Sequence, residues 1–360
     1  MTRESRVRTI KEIEKLRKSK VIAYFVGDRP NLPPSAIADD AIRVIYNHLE
    51  KMEKTKNLDL FIYTRGGNMM ASFRIATLMR EYCDHFGTIV PYRAHSGGTQ
   101  ICLGANEIVM SKLAELSPVD PSTTNAFNPA DRTGRNIPIS VEDVRSYLKL
   151  AQEKGELDNE EAKIEIFKTL TSVQGIQTHP LALGNVNRVY DEVRLLIDQL
   201  LSSHMDAIVD AEKIKEIKKQ LTEVYTHSYA ITRTYAIKMG LKVTKASPQL
   251  EQLMMSLYDD FAKEAKTNDP FFVEDELEDN EEQKEIHEKL AFIETSNTAS
   301  AYQADIEIIR PKNSQLNQVP LNLIPNMAPQ VGISVSSQPP PIPNTKATIR
   351  YKRAKWVDIE

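Results

Sequence analysis

Residues 91–110 read PYRAHSGGTQICLGANEIVM, so a lone serine, Ser96, stands between a bulky apolar run and Gly97-Gly98. A serine presented at a strand end can act as a nucleophile in acyl transfer if a base takes its proton. A second glycine turn, Gly66-Gly67, closes an earlier apolar run, LDLFIYT. Glycines allow a substrate carbonyl to approach the backbone closely, and two N–H groups aimed at one point form an oxyanion hole. The same serine would also suit the N-cap of a helix starting at Gly97. The glycines equally suit close packing of a helix on a sheet. Residue types and spacing leave nucleophile and cap both open.

The elements that must position these residues alternate along the chain. VIAYFVG (21–27), LDLFIYT (58–64), TIVPYRA (88–94) and EIVMS (107–111) read as buried strands. Helical spacing fills 36–53, with Ile37, Ala41, Val44, Ile45 and Leu49 on one face, and helices are predicted over 68–83 and 96–105. This rhythm predicts an α/β fold with a parallel sheet and helices on its faces, whose ligands bind beyond the carboxyl ends of the strands. Residues 114–138 are polar and proline-punctuated, and read as a loop. Ser140-Val-Glu-Asp143 has the pattern of a capping box opening a helix to Lys154. Further helices are expected over 158–173, 181–205, 209–222 and 248–266, with Thr232 capping TRTYAIKMG and LKV forming a short strand.

The 360 residues are 41% hydrophobic, enough for a substantial core, and the formal net charge of −4 does not suggest a general nucleic-acid binder. Cys83 and Cys102 lie in or beside apolar stretches and read as buried thiols in a reducing, cytoplasmic setting. Residues 1–20 form a basic helix with a thin stripe of Ile10, Ile13 and Leu16 and no signal-peptide core. No run of about 18 apolar residues occurs, so no transmembrane segment is expected. The organisation expected is this helix, a catalytic body over 21–267, an acidic segment over 268–310, and a Pro-rich tail over 311–360. In the acidic segment, 274–289 holds nine acids in sixteen residues, while AFIET and ADIEIIR read as short strands. The tail has eight prolines in 311–345, reads as extended or disordered, and ends in a basic stretch with the only tryptophan, Trp356. His48, His85, His179, His204 and His287 show no metal spacing, and no P-loop occurs, so neither metal nor cofactor is called for.

YTRGGN (63–68), AHSGGTQICLGANEIVM (94–110) and ELSPVDPS (115–122) resemble the signature blocks of the serine dehydrogenase proteinase family, related to Clp protease and signal peptide peptidase A within the Clp/crotonase superfamily. HPLALGNVNRVYDEVRLLIDQLL (179–201) and THSYAITRTYAIKMGLKV (226–243) extend the resemblance across 60–245. It implies a Clp/crotonase-like ββα spiral with peripheral helices and a largely irregular C-terminal tail. It further implies Ser96 as nucleophile and the N–H groups of Gly67 and Gly97 as the oxyanion hole; Arg65 and Gly66, beside that hole, are expected at the substrate, although Arg65 departs from the family pattern. Arg65 stands where relatives commonly carry proline. It could bind a substrate carboxylate or backbone, or pair with a nearby acid such as Asp120. The Clp histidine position falls on Asp120 and the Clp aspartate position near His227, so the triad expected is Ser96, His227 and Asp120 with the two partners exchanged. Triads are defined by geometry rather than chain order. His95, in the same tight bend, is expected to point away from Ser96. A lysine base drawn from Lys112, Lys163 or Lys168 is the rival.

The leading reading is therefore a soluble serine hydrolase, a peptidase working through an acyl-enzyme on peptide or protein substrates. A crotonase-type acyl-thioester enzyme would use the same N–H pair for an enolate and needs no serine there. A non-catalytic scaffold would keep the fold alone. Relatives of this fold assemble, so a homo-oligomer docked through helices of 140–222 is expected.

Overall fold

The computed structural model describes residues 3–33, 35–52, 54–119, 122–123, 126–129, 136–137, 139–140, 144, 146–147, 149–150, 153, 160–171, 179–223, 229–277, 282–310 and 348–359. Strand β1 (Lys20–Val26) sets the layering. Its residues Val21, Ala23 and Phe25 enter one core and Ile22, Tyr24 and Val26 the other, as period-two alternation requires of a strand covered on both faces. β2 (Thr55–Tyr63), β3 (Cys83–Val90) and β5 (Glu107–Met110) extend the sheet in parallel, with β10 (Val243–Lys245) at its edge. Between β3 and β5 lies a short strand, β4 (Arg93–Ala94).

One face is covered by α2 (Asp39–Met52), α3 (Met69–Glu81), α4 (Gly97–Leu103), α6 (Pro180–Ser202) and α7 (Ala211–Glu223). They contribute Ile45, Met79, Ile101, Ile197 and Leu221 to the larger core. The other face is covered by α1 (Arg3–Arg17) and α9 (Pro248–Glu264), through Ile10, Ile13, Met254 and Phe261. The described residues also include a helix α5 (Glu160–Thr171) and a short α8 (Arg233–Lys238). Smaller strands finish the body. β6 (Glu115–Leu116) pairs with β4 and with β9 (Ile231–Thr232), and β7 (Ser122–Thr123) pairs with β8 (Ile139–Ser140).

Several expectations change. The proline-punctuated run TIVPYRA is broken rather than continuous, because Pro91 has no N–H to give a ladder. Helix α2 starts at Asp39, and Ile37 instead bridges Gly67. Its N–H donates to Gly66 O at 2.9 Å, and Asn68 N–H donates to Ile37 O at 2.8 Å. The thin stripe of α1 understates its burial, because the inward face also carries Arg6, buried, and Arg17, part-buried, through charge pairing. Arg6 donates to Glu294 at 2.8 Å and pairs with Glu264, and Arg17 pairs with Asp59 at 2.9 Å and Glu107 at 2.6 Å.

The basic tail departs furthest from the sequence reading, while in the acidic segment the short strands expected at AFIET and ADIEIIR prove to be longer ones. β11 (Gln283–Thr295) and β12 (Ala299–Ile309) form a long hairpin, antiparallel to β1, and β13 (Thr348–Asp358) pairs with β12. The central sheet is thus eight-stranded and mixed, in the order β10-β5-β3-β2-β1-β11-β12-β13. Within the tail expected to be irregular, 348–358 is a strand because its charges complement the hairpin. Lys352 meets Glu285 at 2.9 Å and Glu307 at 3.0 Å, and Arg353 meets Asp305 at 2.9 Å. Trp356 anchors it, donating from Nε1 to Asp40 at 3.1 Å and packing against Tyr302.

Candidate active site

The loops after β2 and β3 meet. Thr64 N–H donates to Arg93 O at 3.0 Å and His95 N–H to Thr64 O at 3.1 Å, which brings the two glycine turns side by side. A Cβ on Gly97 would lie 3.4 Å from both the N and the O of Gly67. One on Gly66 would lie 2.7 Å from the Ser96 Cβ and 3.2 Å from its Oγ. Gly66 and Gly67 have φ of +117° and +150°, so neither position suits an L side chain.

Ser96 itself has φ 49° and ψ −111°, outside the basins favoured by non-glycine residues. Its hydroxyl makes no capping bond, so the N-cap alternative fails; an N-cap side chain needs an extended backbone to reach N2 or N3. Among the described residues that hydroxyl has no hydrogen-bond partner. The bend is bolted from behind. Ser96 N–H donates to Ser117 Oγ at 2.7 Å, Ser117 N–H to Thr99 Oγ1 at 3.0 Å, and the Thr99 hydroxyl to Ala94 O at 2.7 Å. All three side chains are buried.

In a parallel bridge a residue's own N–H and C=O point away when its neighbours make the bonds. Gly66 O and Asn68 N serve Ile37, which leaves the Gly67 N–H and C=O directed to the opposite side. No described residue accepts a bond from the N–H of Gly67 or of Gly97. Sequence reading missed the parts that hold this arrangement: Ile37, Ser72 against Gly97, and Ser117. Only Ser117 carried a signal, through its place in ELSPVDPS.

Arg65 pairs with Asp28, while Asp120, the acid suggested from sequence, lies outside the described residues. Asp28 also accepts from the Tyr63 hydroxyl at 2.8 Å and lies 3.9 Å from Arg93. Arg93 donates to Glu115 at 3.1 Å, and His95 Nε2 meets the same carboxylate at 3.1 Å. Burial pushes the His95 pKa below the ordinary range. Arg93 and Arg65 act in the same direction, against Glu115. The 3.1 Å contact engages its ring with Glu115.

His227 and Asp120 lie outside the described residues. Of the lysines, Lys112 pairs with Glu251 at 3.5 Å with its side chain 77% exposed, while Lys163 and Lys168 pair with Glu160 and Glu165 one helical turn away. Cys83 and Cys102 are buried free thiols, and burial above all raises their pKa to about 11 and about 12, which suppresses thiolate chemistry. His48 and His204, both held near 4 chiefly by burial, and His179 at the start of α6 have structural partners. Among the described residues one cluster, Glu285, His287 and Asp305, brings possible metal ligands together, but Lys352 and Arg353 already pair with its carboxylates.

Residues 1–132 match the family described as ClpP-like SDH-type serine proteinase. An uncharacterized protein of Methanocaldococcus jannaschii is 30% identical over 264 residues, 70% of this chain and 76% of that protein. A second from the same organism, also uncharacterized, is 30% identical over 207 residues, 57% of this chain and 59% of its own length. Among solved structures, a mutant of the membrane-bound stomatin-specific protease 1510-N in complex with a substrate peptide aligns over 64% of this chain and 78% of its own, at 14% identity and TM-score 0.37. No described helix is long and apolar enough to cross a membrane.

Proposed function

This chain belongs to the ClpP-like SDH-type serine proteinase family and is a serine peptidase by that membership, and from that premise we propose that Ser96 is its nucleophile. The Ser96 Oγ attacks the scissile carbonyl carbon as a base removes the hydroxyl proton. The carbonyl oxygen becomes an oxyanion held by the N–H groups of Gly67 and Gly97. Collapse breaks the C–N bond, the base returns its proton to the leaving amine, and water hydrolyses the acyl-enzyme by the same route. The observation that carries this reading is the pair of N–H groups without a described acceptor, on adjoining glycines, beside a serine whose hydroxyl is uncommitted.

The base assigned is His227, with Asp120 as its orienter; both follow the family motif rather than an observed contact. Lys112, Lys163 and Lys168 suit the role less well, because their ammonium groups are exposed or already paired. The Gly67 C=O, facing away from Ile37, would accept an N–H from a substrate strand laid along Gly66-Gly67, a mode that uses main-chain bonds for affinity. Exposed apolar residues on α5 and α6, among them Ile164, Phe167, Leu181 and Leu195, support docking of a second copy. Light scattering would then give a mass above the 40.8 kDa of one chain.

A fluorophosphonate probe tests the assignment. Labelling of the wild type that vanishes in Ser96→Ala is the expected result, and His227→Ala should slow it by about 10²-fold or more. Labelling that persists in Ser96→Ala, or none in the folded wild type, overturns the nucleophile. An unchanged rate in His227→Ala overturns the base.

A further inference from the structure

Arg65 sits one residue before the glycine pair, and Gly66 touches Ser96 across the bend. Among the described residues its guanidinium is held on one side only. Nε pairs with Asp28, whose carboxylate is 7% exposed and is fixed in turn by the Tyr63 hydroxyl at 2.8 Å. Tyr63 is buried and stacks on Phe25 with ring centroids 4.6 Å apart, so the anchor reaches into the core. The Arg65 side chain is nonetheless 53% exposed, and no described residue accepts a bond from its Nη1 or Nη2.

Among the described residues, the two carboxylates of this ion-pair network are each compensated. Asp28 and Glu115 are both engaged by arginine, Asp28 by Arg65 and Arg93, Glu115 by Arg93 and by His95. A guanidinium fixed through Nε keeps its terminal edge oriented, and that edge matches a carboxylate with two parallel N–H···O bonds. Balancing Asp28 alone would not require the exposed terminal nitrogens, since Arg93 and Tyr63 also face that carboxylate.

We infer that Arg65 is a specificity residue that takes a carboxylate of the peptide substrate on its Nη edge, beside the bond that Ser96 attacks. This rests on the peptidase reading above. The carboxylate is either an Asp or Glu side chain or the free end of the chain, and the chemistry recognised is the same. Loss of a hydrogen-bonded charge partner of this kind corresponds to about 10–100-fold in binding.

The test measures how strongly matched peptides slow fluorophosphonate labelling of Ser96. A peptide set is made with Asp or Glu against Asn or Gln at each position, and with free-acid against amidated ends. Acid members should compete about 10–100-fold better than their amides in the wild type, and the position or end that carries the effect identifies the source. The ratio is read within each variant, so changes in basal labelling cancel. In Arg65→Ala the ratio should fall to near one, and Arg65→Lys, which keeps the charge but not the fork, should restore only part of it. Equal competition by acids and amides in the wild type, or a ratio that survives in Arg65→Ala, overturns the inference while leaving the nucleophile intact. Absence of labelling in the wild type overturns the peptidase reading and this inference together.

Discussion

Ser96 occupies a backbone conformation that serine does not favour, and that strain can be measured separately from chemistry. Residues in sparsely populated φ/ψ regions cost about 1–3 kcal/mol, and Ser96 at φ 49°, ψ −111° is such a residue. Ser96→Ala keeps the Cβ and therefore the strain. It removes a hydroxyl with no described partner, so stability should change by less than about 0.5 kcal/mol. Ser96→Gly also removes the hydroxyl but releases the strain. Against that release stand the extra freedom of glycine in the unfolded chain, about 0.4–1 kcal/mol, and one lost methyl burial, about 0.8 kcal/mol. At an unstrained buried position those two terms would leave Gly about 1–2 kcal/mol below Ala. Here the strain offsets them, so Gly should fall less than about 1 kcal/mol below Ala or rise above it by up to about 2 kcal/mol. Urea denaturation of the two variants, read as midpoint shifts at a common slope, gives the difference. A Gly variant 1 kcal/mol or more (order of magnitude) below the Ala variant would refute the idea that the bend is strained at Ser96.

Other consequences follow from single contacts. Gly97→Ala places a Cβ 2.4 Å from the Ser72 Oγ and against Gly67; probe labelling should slow by about 10-fold or more with the fold retained, and adding Ser72→Ala should recover part of the rate. Ser117→Ala leaves the Ser96 N–H buried without its 2.7 Å acceptor, so urea unfolding should show a loss of about 1–3 kcal/mol. Arg6→Ala leaves Glu294 fully buried and unpaired; a loss of about 3–5 kcal/mol is expected by the same measurement. Burial raises the Glu107 pKa, but hydrogen bonds from Thr244 and Arg17 outweigh it and hold the carboxyl below its ordinary value. A depressed folded-state pKa gives stability that is present above the unfolded value, about 4.5, and is lost as pH falls below it. The urea midpoint should therefore drop below about pH 4.5, and less steeply in Arg17→Met.

How much of this was written in the sequence depends on the range of the interaction. The strands near 21–27, 58–64 and 107–111, and the helices behind them, were legible because period-two and period-3.6 patterns are local. Ser96 and both glycine turns stood out for the same reason: a small residue at a strand end is visible in a few letters. The burial of Arg6 and Arg17 on α1 was not, because their partners Glu294, Glu264, Asp59 and Glu107 are all distant in sequence. Nor was β13, where a basic stretch becomes a strand only beside the acids of β11 and β12.

The site divides in the same way. By itself the sequence determined which residue could attack and which turns could offer N–H groups, since these depend on residue type and on position after a strand. Only the tertiary structure decided that Gly67 and Gly97 adjoin, that Ile37 takes one side of the Gly66–Asn68 backbone and leaves the other side free, and that Arg65 is tied to Asp28 rather than left loose. Those outcomes rest on hydrogen bonds and ion pairs between separate elements, and pairing of that kind has no periodicity for a sequence to display.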